Sequence, residues 1–154
     1  MEKELVIKKI IAAYDQLVSK DAHLFEVDAN ERSITHKFAE YLQQLFQDWN
    51  VDCEYNRNGF EAKKLETFKK VVDSDDTNAV SVYPDIIIHH RGTKDNLLII
   101  EAKKTSFSGE DFDIKKLKAY KDDLGYRFAF KITLPTKNYF SEFVETPRNI
   151  QEIT

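Results

Sequence analysis

Two apolar runs lie side by side in this chain, Tyr83 to His89 ("YPDIIIH") and Leu97 to Lys103 ("LLIIEAK"), joined by a polar loop containing Gly92. Short runs rich in isoleucine, linked by about seven residues, read as the two strands of an antiparallel hairpin. Side chains alternate faces along a strand. Asp85, Ile87 and His89 therefore share one face of the first strand, and Ile86 and Ile88 the other. On the second strand Ile99, Glu101 and Lys103 share a face, opposite Leu98, Ile100 and Ala102. Folding the hairpin about Thr93 sets Asp85 across from Glu101, with Lys103 one repeat away. A slip of two residues leaves the three charges neighbours. A slip of one places isoleucines where charges belong, so the apolar pattern itself selects the register.

Charges avoid apolar strands because removing them from water is costly. Two carboxylates directly opposed, about 5 Å apart, also repel one another when both are ionised. A divalent cation answers both problems. Mg²⁺ or Mn²⁺ takes oxygen ligands, commonly one or two carboxylates together with water and a phosphate. A lysine beside such a site orients water or meets charge developing on phosphorus. Asp85, Glu101 and Lys103 are thus the candidate catalytic group.

The rest of the chain supplies a frame. Ile7, Ile10, Ile11, Tyr14, Leu17 and Val18 predict a helix over 3–18. Ile34, Phe38, Leu42, Leu45 and Trp49 predict a second over 31–49, with Asn30 as its N-cap. At 100° per residue Glu31 projects into that stripe, whereas Glu40 points to the far side. Val51, Cys53 and Tyr55 alternate with Asp52 and Glu54, predicting a strand over 51–55 with one apolar face and Cys53 in the core. Residues 60–70 read as a helix and the acidic stretch after them as a loop. A helix over 111–124 carries Leu117, Tyr120 and Leu124 on one face and stops at Gly125. A strand over 127–134 ends before Pro135, and "YFSEFVE" is a short amphipathic piece near the end. The predicted class is α/β: a mixed central sheet flanked by helices, the hairpin antiparallel and the final strand–helix–strand unit a parallel crossover.

At 154 residues, 42% hydrophobic and 32% charged, the chain is expected to form a single domain with its own core. The one cysteine excludes an internal disulfide, and no Cys/His cluster has zinc spacing. The N-terminus lacks the pattern of a signal peptide, and no apolar run approaches the roughly 18 residues of a membrane span. A soluble, cytoplasmic protein is the expectation. A net charge of −4 is not the basic footprint common among nucleic-acid binders, though a local basic face suffices for binding.

Pro84-Asp85 followed by Glu101-Ala102-Lys103 resembles the motif of the PD-(D/E)XK nuclease superfamily. The order helix, three-stranded meander, helix, strand over 31–134 resembles its restriction-endonuclease-like core (α-β-β-β-α-β), here with an extra N-terminal helix. The resemblance implies a divalent-metal-dependent nuclease that hydrolyses phosphodiester bonds in nucleic acid, DNA foremost. Asp85, Glu101 and the Ala102 carbonyl would hold Mg²⁺ or Mn²⁺, Glu31 at the start of the first core helix would complete the site, and Lys103 would position the attacking water. Some members carry Q-x-x-x-Y on the following helix. Here the spacing is Lys116-x-x-x-Tyr120, so the glutamine is absent and only a substrate contact is carried over.

Other residues have a functional and a plain reading. Arg57 is a phosphate contact or part of a supporting salt bridge with Glu54. His89 shares the face of Asp85 and is a substrate contact or an ordinary strand histidine. Lys115, Lys116, Lys118 and Lys121 form a phosphate-tracking surface or a solvated helix face. Glu31 is a ligand or a first-turn acid facing the helix dipole. The alternative to the enzyme is a catalytically inactive module of the same fold that binds nucleic acid or a protein, since fold does not dictate function. A homodimer or a larger complex is compatible with either.

Overall fold

The computed structural model describes residues 1–55, 57–58, 61–62, 83–104, 110–137 and 150–154, and for 57, 58, 61, 62 and 110–112 the backbone alone. Apolar residues spaced three and four apart build the N-terminal helices. Helix α1 (Lys3–Lys20) buries Val6, Ile10, Ala13, Tyr14 and Leu17. A short α2 (Ala22–Glu26), not expected, buries Phe25. Helix α3 (Glu31–Leu45) starts where the Asn30 side chain accepts a 2.8 Å hydrogen bond from the Ser33 N–H, as a good N-cap does. Ile34, Phe38 and Leu42 form its buried stripe, and Tyr14 meets Phe38 edge to face at 6.4 Å, joining α1 to α3. None of the helices described is long and apolar enough to cross a membrane.

The strands are β1 (Asn50–Cys53), β2 (Arg57–Asn58), β3 (Glu61–Ala62), β4 (Ile86–His89), β5 (Asn96–Lys104), β6 (Phe128–Leu134) and β7 (Ile150–Glu152). Five of them form a mixed sheet in the order β1-β4-β5-β6-β7. β1, β4 and β5 run as an antiparallel meander. Helix α4 (Glu110–Leu124) then carries the chain to β6, which pairs parallel to β5, and β7 closes the edge antiparallel to β6. The α/β class and the mixed sheet with flanking helices are therefore as expected. Gly125 has φ 68°, a conformation suited to glycine, and it follows α4 directly.

The sheet separates two apolar clusters. Ile86, Ile88, Leu98, Ile100, Ala102, Phe130 and Ile132 pack under α1 and α3. Ile87, Ile99 and Ala129 pack on the other face with Leu117, Tyr120 and Leu124 of α4. Both faces of the hairpin are thus covered, and each fully buried isoleucine contributes about 1.5–3 kcal/mol. The pairing Ile86 with Ile100, Ile87 with Ile99 and Ile88 with Leu98 is the expected register, shifted only by a bulge between Ile88 and His89. A one-residue slip would drive Asp85 or Glu101 into the apolar cluster under α1 and α3.

Three expectations change. Residues 61–62 are strand β3, paired antiparallel with β2, rather than the start of a helix; a glycine between two short runs favours a hairpin, and the remainder of 60–70 lies outside the described residues, as does "YFSEFVE". Cys53 is exposed instead of buried. Glu54 has φ 48°, which breaks the alternation of β1: Val51 packs with the helical cluster above the sheet, Tyr55 with the cluster below. The last strand, β7, was too short to read from its pattern.

Candidate functional site

Pro84 is buried and Asp85 follows it at the mouth of β4. The Glu54 N–H donates to the Asp85 carbonyl at 3.2 Å, which carries the sheet one residue past β1 and β4. The hairpin register, continued one step beyond Ile86 and Ile100, sets Asp85 opposite Glu101. Oδ2 of Asp85 accepts a 2.8 Å hydrogen bond from the Ala102 N–H, so the carboxyl is held against β5 by the backbone. Both acids lie on the α4 side of the sheet, the side of Ile87 and Ile99.

Glu101 is only 1% exposed. Burial and the neighbouring Asp85 push its pKa up to about 8, against the pull of Lys116. Burial also raises the Asp85 carboxyl, opposed by the Ala102 hydrogen bond and by Lys116. The two carboxyls are within hydrogen-bonding reach of each other. Burial, and then the charge of Asp85, favour the neutral form of Glu101.

The two lysines divide differently from expectation. Nζ of Lys116, from α4, is 2.9 Å from Oε1 of Glu101. Nζ of Lys103 is 3.0 Å from Oδ1 of Asp113, in the first turns of the same helix. Burial works against the Lys103 charge, but the Asp113 hydrogen bond and its charge outweigh this and raise the pKa. Tyr120, one turn beyond Lys116, is buried beside the acids, and burial followed by the Glu101 charge raises its hydroxyl pKa strongly. Asp113 and the direct Lys116 contact were missed in the sequence. Their signal is the i, i+3 and i, i+4 spacing of Asp113, Lys116, Leu117 and Tyr120, which puts two charges on the flank of the apolar stripe.

Glu31 approaches from the opposite layer. Its Oε2 accepts a 3.2 Å hydrogen bond from the Lys104 N–H at the end of β5, and its charge is felt at both Asp85 and Lys103. Lys104 bends back to Asp28 and to the Ala29 carbonyl, pinning the turn before α3. Glu40 pairs with His36 and Lys37 on the exposed side of α3, away from the site.

His89 is not brought to the acid pair. Four residues along the strand, ~13 Å away, its buried Nε2 meets Oδ2 of Asp52 at 2.8 Å, and its ring meets Tyr55 edge-on at 4.7 Å. Arg91 closes that cluster through a 2.8 Å hydrogen bond from Nε to the same Oδ2. The side chain of Arg57 lies outside the described residues. Glu54 instead pairs with Arg32 at 3.1 Å. Lys115 and Lys118 face solvent, and Lys121 reaches the Ile153 carbonyl at 3.3 Å.

The donor set suits a hard divalent cation. Asp85 and Glu101 offer carboxylate oxygens on adjacent strands, and burial raises the pKa of both, a shift that a bound cation would oppose. No group of three or more His, Cys, Asp or Glu side chains among the described residues is spaced to hold a metal. What faces across the hairpin is two carboxylates; Mg²⁺ can be held by one or two, with water and substrate oxygens completing its shell. Comparison of the chain with family models, curated proteins and solved structures gives no match.

Proposed function

We propose that this chain is a divalent-metal-dependent phosphodiesterase. More particularly, it is a nuclease of the PD-(D/E)XK kind, acting on nucleic acid and on DNA foremost. The observation that carries the reading is the facing of Asp85 and Glu101 across the hairpin, on one face, with Lys103 two residues along. An α-β-β-β-α-β order around the meander, with β2 and β3 inserted after its first strand, supports it.

Asp85, Glu101 and the Ala102 carbonyl would hold Mg²⁺ or Mn²⁺, and Glu31, held on the Lys104 N–H, would reach the ion through water. Such an ion, when bound, polarises a phosphate and lowers the pKa of water. Lys103 is 37% exposed and kept protonated by Asp113. It therefore donates hydrogen bonds, to the attacking water or to a phosphate oxygen, and does not remove a proton. Tyr120 packs behind Glu101 and holds α4 against the site. The basic residues facing solvent on α4 are the surface along which a phosphate backbone would run.

The inactive-module reading draws on one observation: each lysine at the site already has an acid, Lys116 with Glu101 and Lys103 with Asp113. Calorimetry with Mn²⁺ and a nuclease assay on labelled single- and double-stranded DNA and RNA separate the readings. The enzyme binds Mn²⁺ saturably, loses it in Asp85→Ala, and cuts at least one substrate in a way that Lys103→Ala abolishes. Saturable nucleic-acid binding without cutting favours the module. Cutting at full rate in Lys103→Ala would end the assignment of this site.

A further inference from the structure

Among the described residues two amines flank the acid pair, and one of them touches it. Lys103 is turned away to Asp113, 3.0 Å from its Oδ1. Lys116 sits 2.9 Å from Oε1 of Glu101, its side chain 12% exposed against 1% for the glutamate. Its charge acts on Asp85 as well. The ammonium comes from α4 across the α4–sheet interface, so it reaches the pair from the helix side, while Asp85 is fixed from the strand side by the Ala102 N–H.

Resting on the nuclease reading, we infer that Lys116 is the resident cation of the Asp85–Glu101 pair and that a divalent ion must displace it from Glu101. The ammonium and the ion would seek the same oxygens. An ion coordinated there would stand within a few ångströms of Nζ, and like charges at that separation in a poorly solvated site repel strongly. Lys116 thus acts as a positioning residue. Without metal it keeps the buried acids compact and tethers α4 to β5; on loading it leaves Glu101 for the solvent-facing edge of the helix. Metal affinity, rather than substrate contact alone, would then depend on α4.

The test is Mn²⁺ affinity by calorimetry in wild type, Lys116→Met, Lys116→Arg and Lys8→Met. Lys8 is exposed on α1, outside the site, and controls for net charge. Lys116→Met is expected to bind Mn²⁺ at least about tenfold tighter, Lys116→Arg no tighter than wild type, and Lys8→Met within about twofold of wild type. A merely structural role for Lys116 would weaken binding on its removal. Equal or weaker binding in a folded Lys116→Met overturns the inference and leaves the metal site standing. Absence of Mn²⁺ binding in wild type and in every variant overturns the metal reading itself, and this inference with it. Should Lys116→Met fail to fold, wild type decides: the ¹⁵N signal of the Lys116 ammonium, sheltered in the metal-free protein, should shift or exchange away as Mg²⁺ is added. A signal unchanged at saturating Mg²⁺ overturns the displacement.

Discussion

The ammonium of Lys103 lies 3.0 Å from Oδ1 of Asp113, a carboxyl almost fully buried near the start of α4. That contact joins the end of β5 to the crossover helix and keeps the lysine charged. Asp113→Asn retains the shape but removes the charge. It should lower stability by about 1–2 kcal/mol in urea unfolding without loss of the folded signal. A loss within error of zero would mean that Lys103 swings to water at no cost.

Catalysis should depend on Lys103 more than on any other cation at the site. Lys103→Ala is expected to lower the rate on a nucleic-acid substrate by about a hundredfold or more, while Mn²⁺ affinity stays close to wild type. Lys103→Arg, still a donor but planar and longer, should recover part of the rate. Single-turnover assays at saturating Mn²⁺ read both outcomes.

Glu101 should write a pH dependence into stability. Its folded pKa is raised, to about 8. Between the ordinary glutamate range and that value the folded chain holds a proton that the unfolded chain has released, so stability falls as pH rises through this window. Metal-free wild type should thus unfold at lower urea concentration at pH 8 than at pH 5.5. Glu101→Gln, neutral throughout, should flatten most of that difference. Saturating Mn²⁺, which favours the ionised pair, should restore stability in wild type at pH 8 and do little for the variant.

Asp85 has a structural task that can be separated from its charge. Its carboxyl accepts the Ala102 N–H at 2.8 Å. Asp85→Asn keeps an acceptor there and Asp85→Ala does not. Both should lose Mn²⁺ binding, but the alanine variant should be less stable than the asparagine variant by roughly 1 kcal/mol. Paired calorimetry and chemical denaturation on the two variants check this.

Away from the site, buried Asn96 donates from Nδ2 to the Leu124 carbonyl at 2.7 Å, satisfying one of the free carbonyls at the end of α4. Its backbone carbonyl accepts the Arg127 N–H at 3.1 Å. Asn96→Ala should cost about 1–3 kcal/mol. Amide exchange should quicken in the last turn of α4 before it does in α3.

The hairpin and the facing of its acids were legible in residue order because both rest on local rules. A strand alternates with period two, and six buried apolar residues at 86–88 and 98–100 leave one register without charge in hydrocarbon. The helices α1, α3 and α4 were legible for the same kind of reason, a stripe at helical spacing. The turn of Tyr55 to the other face was not, because one left-handed residue, Glu54, reverses the faces beyond it and no pattern announces that; nor was the exposure of Cys53, which ends β1 at the edge of the sheet. Nor was the exchange of lysine partners. Lys103 is two residues from Glu101 yet pairs with Asp113, and Lys116 is far along the chain yet meets Glu101. Local periodicity determined which side chains share a face. The axial position and rotation of α4 over the sheet, set by how Leu117, Tyr120 and Leu124 pack on Ile87 and Ile99, decided which charge meets which. An ion pair depends on distances of a few ångströms between separate elements, and only packing in three dimensions fixes those.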